Sequence, residues 1–213
     1  MKHVKTILYP LSLVACLVLG WYVAVNSQTT ILLVRHAEKL TGSNPSLTSA
    51  GQQRAENLIN VLSDAGVGAI YSTEFCRTAE TAKPVAGALG LTINVQPFES
   101  PSAGLENCTG LPAGYTVNML GPEVGTAAEL ADYIVTHHRG MTVFAAGHSN
   151  TVPELVAAFG APALCPDYFP LIEGDCRIPD DPANSQFDNL FIVKIPRFIG
   201  ISTVIRAKYH LSP

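Results

Sequence analysis

Four consecutive apolar residues, Ile31, Leu32, Leu33 and Val34, break off at the charged pair Arg35-His36. Successive side chains of a strand point to opposite faces, so a run without alternation describes a strand covered on both sides. For a parallel strand that cover comes from helices packed on each face of the sheet. The remaining pattern fits this demand. Apolar residues recur at helical spacing over 47–63, with Ala55, Leu58, Ile59 and Leu62 on one face and Thr48 as the expected N-cap. A short strand over 68–72 leads into a helix over 77–89 that stops at Gly90, and 92–96 reads as a third strand. Residues 126–138 read as a helix, 141–146 as a strand and 151–159 as another helix after a tight turn at 147–150. Two closing strands, 190–195 and 202–207, are close enough to pair as an edge hairpin. The expected fold is therefore α/β, a three-layer α/β/α sandwich with a mostly parallel central sheet. Two stretches are expected to be irregular. One is 165–185; the other is 97–125, rich in Gly, Pro, Ser and Asn, a surface excursion placed to cover a site.

A chain of 213 residues, 47% hydrophobic and 14% charged, has room for one sizeable core. Its net charge of -4 provides no broad basic field, so nucleic acid is not an expected partner. Lys2 and Lys5 precede an apolar segment, 7–25, interrupted by Pro10, Ser12 and Gly20, which reads as an export signal. Cleavage near Asn26-Ser27-Gln28 and retention as a single membrane anchor both fit. Leu13-Val14-Ala15-Cys16 also resembles a lipoprotein processing site, although the apolar run continues beyond it to Val25. The expected division is a leader or anchor over 1–27 and one catalytic domain over 28–213, placed in the periplasm or otherwise outside the cytoplasm. Four further cysteines, Cys76, Cys108, Cys165 and Cys176, suit an oxidising compartment. Three disulfide connectivities are open, with Cys165 and Cys176 spaced for local closure, which would leave Cys76 with Cys108. Neither the cysteines nor the histidines have zinc-site spacing, so no metal is expected.

Chemistry concentrates at three strand ends: Arg35-His36-Ala37-Glu38, then Tyr71-Ser72-Thr73 with Arg77, then Gly147-His148-Ser149-Asn150. Ligands of open α/β sheets bind beyond the carboxyl ends of the strands, so these clusters converge on one edge. Two guanidiniums grip a phosphoryl group through charge-assisted hydrogen bonds. A neutral imidazole can attack phosphorus while a second supports the oxygens. Such a site requires no cofactor.

These blocks, with Leu47-Thr48-x-x-Gly51 and Arg77-Thr78-x-x-Thr81-Ala82, together resemble the histidine phosphatase (phosphoglycerate mutase-like) superfamily over about residue 30 to the C-terminus. The resemblance implies a phosphohistidine intermediate on His36, a phosphate pocket of Arg35, Arg77 and His148, and hydrolysis by water. Small phosphorylated molecules or a phosphoprotein would be the substrates. Ser72 and Glu38 are further candidate ligands, the latter reading equally as a solvated loop carboxylate. Ala37 stands where the superfamily usually has glycine, a change known among its small phosphatases. Ser149 replaces the aspartate that supplies the proton in the acid phosphatase branch. Glu99 lies where the mutase branch places its glutamate, but its surroundings do not match the pattern, and Glu106 or Glu123 could serve as well, so the general acid is unassigned.

Each residue also has a plainer role open to it. Arg77 could form a helix-surface ion pair and His148 could cap the following helix; Asn150 is expected to be that helix's N-cap. His137, His138 and His210 read as surface residues. Gly147-x-Ser149-x-Thr151 partly resembles a serine hydrolase elbow, with Asp188 and His210 following in chain order, but it leaves Arg35, His36 and Arg77 without a role. A non-catalytic phosphate-binding module is the remaining alternative.

Overall fold

The computed structural model describes residues 12–21, 28–97, 104–179, 186–197 and 200–209. Its centre is a seven-stranded sheet built from β1 (Gln28–Arg35), β2 (Val67–Thr73), β3 (Ile93–Gln96), β4 (Asn118–Met119), β5 (Thr142–Gly147), β8 (Asn189–Pro196) and β9 (Thr203–Lys208). The strand order is β4-β3-β2-β5-β1-β8-β9. The first five run parallel to their neighbours, while β8 pairs antiparallel with β1 and β9 with β8.

Burial on both faces is what the run at 31–34 demanded. Ile31 and Leu33 join Tyr71, Val143, Ala145, Phe191 and Val193 beneath α3 (Ala127–His137) and α4 (Thr151–Ala158). Leu32 and Val34 join Ile70, Phe144 and Ala146 beneath α1 (Ser49–Leu62) and α2 (Cys76–Leu89). The three-layer α/β/α sandwich is therefore as expected.

Local chemistry sets the helix ends. Thr48 caps α1, its hydroxyl accepting from Gly51 N, and Thr126 forms a reciprocal capping box with Glu129 on α3. Gly90 ends α2 in the left-handed conformation that glycine adopts without strain. The N-terminus of α4 differs from expectation. Asn150 occupies the N-cap position but its side chain makes no cap bond; instead Thr151 Oγ1 accepts from His148 N at 2.7 Å.

Two disulfides form, Cys76–Cys108 and Cys165–Cys176. The first ties the excursion to the start of α2 and buries Cys76, Ala79, Cys108 and Leu111 as a satellite core. Glu80 adds a polar clamp, accepting from Gly110 N at 2.9 Å and from Leu47 N at 2.7 Å. Cys76, Cys108 and Glu80 are close enough together to suggest a metal centre, but both sulfurs are bonded to each other and both carboxylate oxygens are engaged. Of the stretch expected to be irregular, the described part, 165–179, holds a small hairpin of β6 (Leu171–Ile172) and β7 (Asp175–Cys176), next to the second disulfide. Residues 12–21 are helical and exposed. Among the described residues no helix is long and apolar enough to cross a membrane.

Candidate active site

β1, β2 and β5 lie side by side in the middle of the sheet, and their carboxyl ends deliver the three expected clusters to one place. Arg35 pairs across the sheet with Gly147, and His36 N donates to Gly147 O at 2.8 Å. The rings of His36 and His148 lie 5.6 Å apart, edge to face.

His36 is held from both sides. Its Nδ1 is 2.8 Å from Ala37 O, and a carbonyl only accepts, so the proton sits on Nδ1 and Nε2 keeps its lone pair. Ala37 is in turn fixed by its N–H, which donates to Thr81 Oγ1 at 3.0 Å. Burial holds the pKa of His36 well below the usual histidine value, and the positive charges of Arg35 and Arg77 and the neighbouring His148 add to the depression against the opposing Ala37 bond. A neutral imidazole with its lone pair on Nε2 is the nucleophilic form.

His148 belongs to a short relay. Its Nε2 lies 2.8 Å from Thr73 Oγ1, which lies 2.8 Å from Thr78 Oγ1, which lies 2.8 Å from Phe75 O. Each hydroxyl has one proton, and the chain is satisfied throughout when His148 Nε2–H donates to Thr73, Thr73 to Thr78 and Thr78 to the carbonyl. That leaves Nδ1 as the ring nitrogen available to a ligand. Burial, with Arg77 and Arg35 beside it, pushes the His148 pKa down to about 3.

The two guanidiniums rest on aromatic rings. Arg35, buried, lies 4.5 Å above Phe187 and donates to Pro179 O at 3.2 Å. Arg77 lies 4.3 Å above Phe75, whose edge also meets the His148 ring at 5.1 Å. Cation–π contacts of this kind hold a charge in place without consuming the N–H groups that face a ligand.

The other expected residues fall as follows. Ser72 is buried and donates to Thr73 O at 3.1 Å. Glu38 receives a bidentate pair from the buried Arg54, at 2.8 Å and 2.5 Å, so it is not a solvated loop carboxylate. Glu99 and His210 lie outside the described residues. Glu106 is exposed in a short turn at Leu105–Asn107, and Glu123 is exposed in another at Pro122–Val124. Of the histidines read as surface residues, His137 is exposed and stacks on Tyr133, but His138 is half-buried and bonds Tyr71 Oη at 2.7 Å. Asp188, a member of the serine hydrolase alternative, is buried and accepts from Lys208 Nζ at 2.6 Å. Sequence reasoning assigned no role to Thr73, Phe75 or Phe187. The first two sit inside the second cluster, where their position was a usable signal; Phe187 reaches Arg35 only through the fold.

A pH dependence of stability follows from the two histidines. Both are depressed in the folded state, so the unfolded chain binds these protons first, as pH falls through about 6.5. The stability they contribute is fully present above that pH and is lost as pH falls toward the folded value of His148, about 3. The ligand-free protein is expected to lose melting temperature from about pH 6.5 downward, before most carboxylates titrate. His148→Gln should flatten part of that slope, and inorganic phosphate should reduce it by pairing with imidazolium. Thermal melts at pH 4–8 test this, and a slope unchanged in the variant would contradict it.

A strand-end site of two buried histidines and two ring-stacked arginines on an α/β sandwich carries the groups that bind a phosphoryl oxyanion and attack phosphorus. Comparison sharpens the class. The sequence model of the histidine phosphatase superfamily (branch 1) matches residues 31–98, the segment holding Arg35, His36 and Arg77. Among solved structures, the chain matches the protein histidine phosphatase SixA in complex with tungstate at 16% identity, over 84% of this chain and 96% of that one, with a TM-score of 0.50. It matches mycobacterial glucosyl-3-phosphoglycerate phosphatase at 14% identity, over 87% and 100%, with a TM-score of 0.51. YhfR of Bacillus stearothermophilus matches at 21% identity, over 84% and 96%, with a TM-score of 0.51. At these identities the likeness is one of fold. No curated protein matches the chain in sequence. The matched segment and the fold are thus similar to those of histidine phosphatases.

Proposed function

We propose that the protein is a phosphatase of the histidine phosphatase type, which works through a covalent phosphohistidine on His36 and needs no metal ion. The observation that carries the reading is the bond from His36 Nδ1–H to Ala37 O, which leaves Nε2 unprotonated in a site with two guanidiniums. The Nε2 lone pair forms the N–P bond as the bond from phosphorus to the leaving oxygen breaks, and the leaving oxygen takes its proton from solvent water. Water then attacks phosphorus, the N–P bond breaks, and inorganic phosphate is released with His36 restored. Arg35 and Arg77 balance the charge on the equatorial oxygens, the task a metal performs elsewhere. The anion raises the pKa of His148, so Nδ1 can carry a proton toward the phosphoryl oxygens.

Substrates on this reading are phosphomonoesters of small molecules, or phosphohistidine and acyl phosphates, free or on a protein. No donor is assigned to the leaving oxygen, so good leaving groups should react faster; aryl phosphates are expected to exceed alkyl phosphates by roughly a hundredfold in kcat/KM. Export by the N-terminal segment completes the proposal, supported by its apolar character and by two disulfides.

Hydrolysis of p-nitrophenyl phosphate in EDTA tests the scheme, with Ser149→Ala alongside the parent. Turnover is expected to survive both the chelator and the substitution. Loss in EDTA would overturn the metal-free mechanism, and loss in Ser149→Ala would favour a serine nucleophile. A folded parent that binds phosphate but releases none from any ester would be a binding module.

A further inference from the structure

Phe187, whose ring carries the Arg35 guanidinium at 4.5 Å and lies 6.0 Å from the His36 ring, belongs to the short stretch 186–188 that leads into β8. A half-buried ring outside any regular element keeps its place only where its backbone is tied down. Asn189 Nδ2 donates to Gln186 O at 2.9 Å, and the Phe187 carbonyl is taken by the residue that follows β9: Tyr209 Oη donates to Phe187 O at 2.8 Å. The Tyr209 backbone N–H donates to Asp188 O at 2.9 Å, and Lys208 Nζ donates to Asp188 Oδ1 at 2.6 Å. Tyr209 is buried and shares a core cluster with Leu32, Val34 and Leu190, so its hydroxyl is aimed by a fixed ring. The phosphoryl-transfer scheme needs no phenol at this position, and phenylalanine would fill almost the same volume. What the hydroxyl adds is the bond to Phe187 O.

We propose that Tyr209 is a positioning residue for phosphoryl binding: its hydroxyl holds Phe187 beneath Arg35 and so fixes the guanidinium that grips the phosphoryl group. The inference rests on the phosphatase reading and adds to it a residue far along the chain from Arg35. The path is short, from the Tyr209 hydroxyl to the Phe187 backbone, its ring and the guanidinium. Arg35 also donates to Pro179 O at 3.2 Å, which fixes one nitrogen of the fork, while the ring sets the plane of the whole. A charge-assisted grip on phosphoryl oxygens depends on that plane, so a ring free to shift weakens it. The loss on removing the hydroxyl is partial, because the bonds to Gln186 O and Asp188 O on either side of Phe187 remain.

Binding of inorganic phosphate, measured by calorimetry on the full chain, reads the grip without any chemistry. Tyr209→Phe is expected to weaken it by about threefold to fivefold, and Phe187→Leu, which removes the ring, by about tenfold. Phe187→Tyr keeps a ring under the cation and should hold affinity within about twofold of the parent. In the double variant, Tyr209→Phe added to Phe187→Leu is expected to weaken phosphate binding no further, because the hydroxyl acts through the ring. KM for p-nitrophenyl phosphate should rise in the same ratios with kcat changed by less than about twofold, since the bound ester and the transition state share this support. The same factor for Tyr209→Phe in both backgrounds, or a lower melting temperature with phosphate affinity unchanged, would make Tyr209 a purely structural residue and overturn the proposal. Unaltered phosphate affinity in Phe187→Leu would overturn it too, without recourse to a substitution in the core. A parent that binds phosphate with this dependence yet hydrolyses no ester would count against the phosphatase reading and leave the role of Tyr209 standing.

Discussion

His36→Ala is expected to lower kcat for p-nitrophenyl phosphate by about 10⁴-fold or more, equivalent to roughly 5 kcal/mol of lost transition-state stabilisation. The substitution removes the only atom in the scheme that bonds to phosphorus. It leaves the backbone N–H of residue 36 on Gly147 O and the Thr81 bond to Ala37 intact, so the strand end keeps its shape. Phosphate affinity should fall far less, because Arg35, Arg77 and His148 remain. Steady-state kinetics with phosphate titration on the same preparation distinguishes the two effects. Residual turnover within tenfold of the parent would place the nucleophile elsewhere.

Gly51→Ala is expected to destabilise the fold by about 3 kcal/mol and to impair catalysis as well. A Cβ at this position would stand 2.1 Å from Glu38 O, a backbone atom that cannot swing aside. The N-terminus of α1 therefore sits directly against the loop that follows His36, where Thr48 N also donates to Glu38 O at 2.9 Å. Separating them moves Glu38, and with it the Arg54 pair and the Ala37 carbonyl that sets the His36 tautomer. Gly87→Ala is the matched control. It lies within α2 with nothing within 4 Å of the new methyl group, and should stabilise by about 0.5–1 kcal/mol. Urea denaturation and aryl phosphate turnover of both variants check the contrast.

The layered fold was legible because its signal is short-range and repeated. The unalternated run at 31–34, the helical spacing of Ala55, Leu58 and Leu62, and Gly90 each state a local rule that the structure obeys. Register along the sheet is not local, so the neighbours of β1, namely β5 and the antiparallel β8, could be ordered only in space. The same division runs through the site. Arg35, His36 and His148 announce themselves at strand ends, whereas Phe187 becomes the support of Arg35 only when a segment about 150 residues away folds over it. Asn150 takes the N-cap position, but its side chain makes no cap bond, because Val152 N donates to His148 O and Pro153, the next position, has no N–H to offer.

The central claim is the covalent intermediate, and rapid quenching tests it most directly. The enzyme is mixed with phosphoryl-labelled p-nitrophenyl phosphate, stopped in alkali within the first turnover, digested and mapped by mass spectrometry. The account predicts one phosphoryl group on the peptide bearing His36, stable in alkali and released in mild acid as an N–P bond is, and absent from His36→Ala. Label on Ser149, or a parent enzyme that turns over with no covalent label at any quench time, would contradict it.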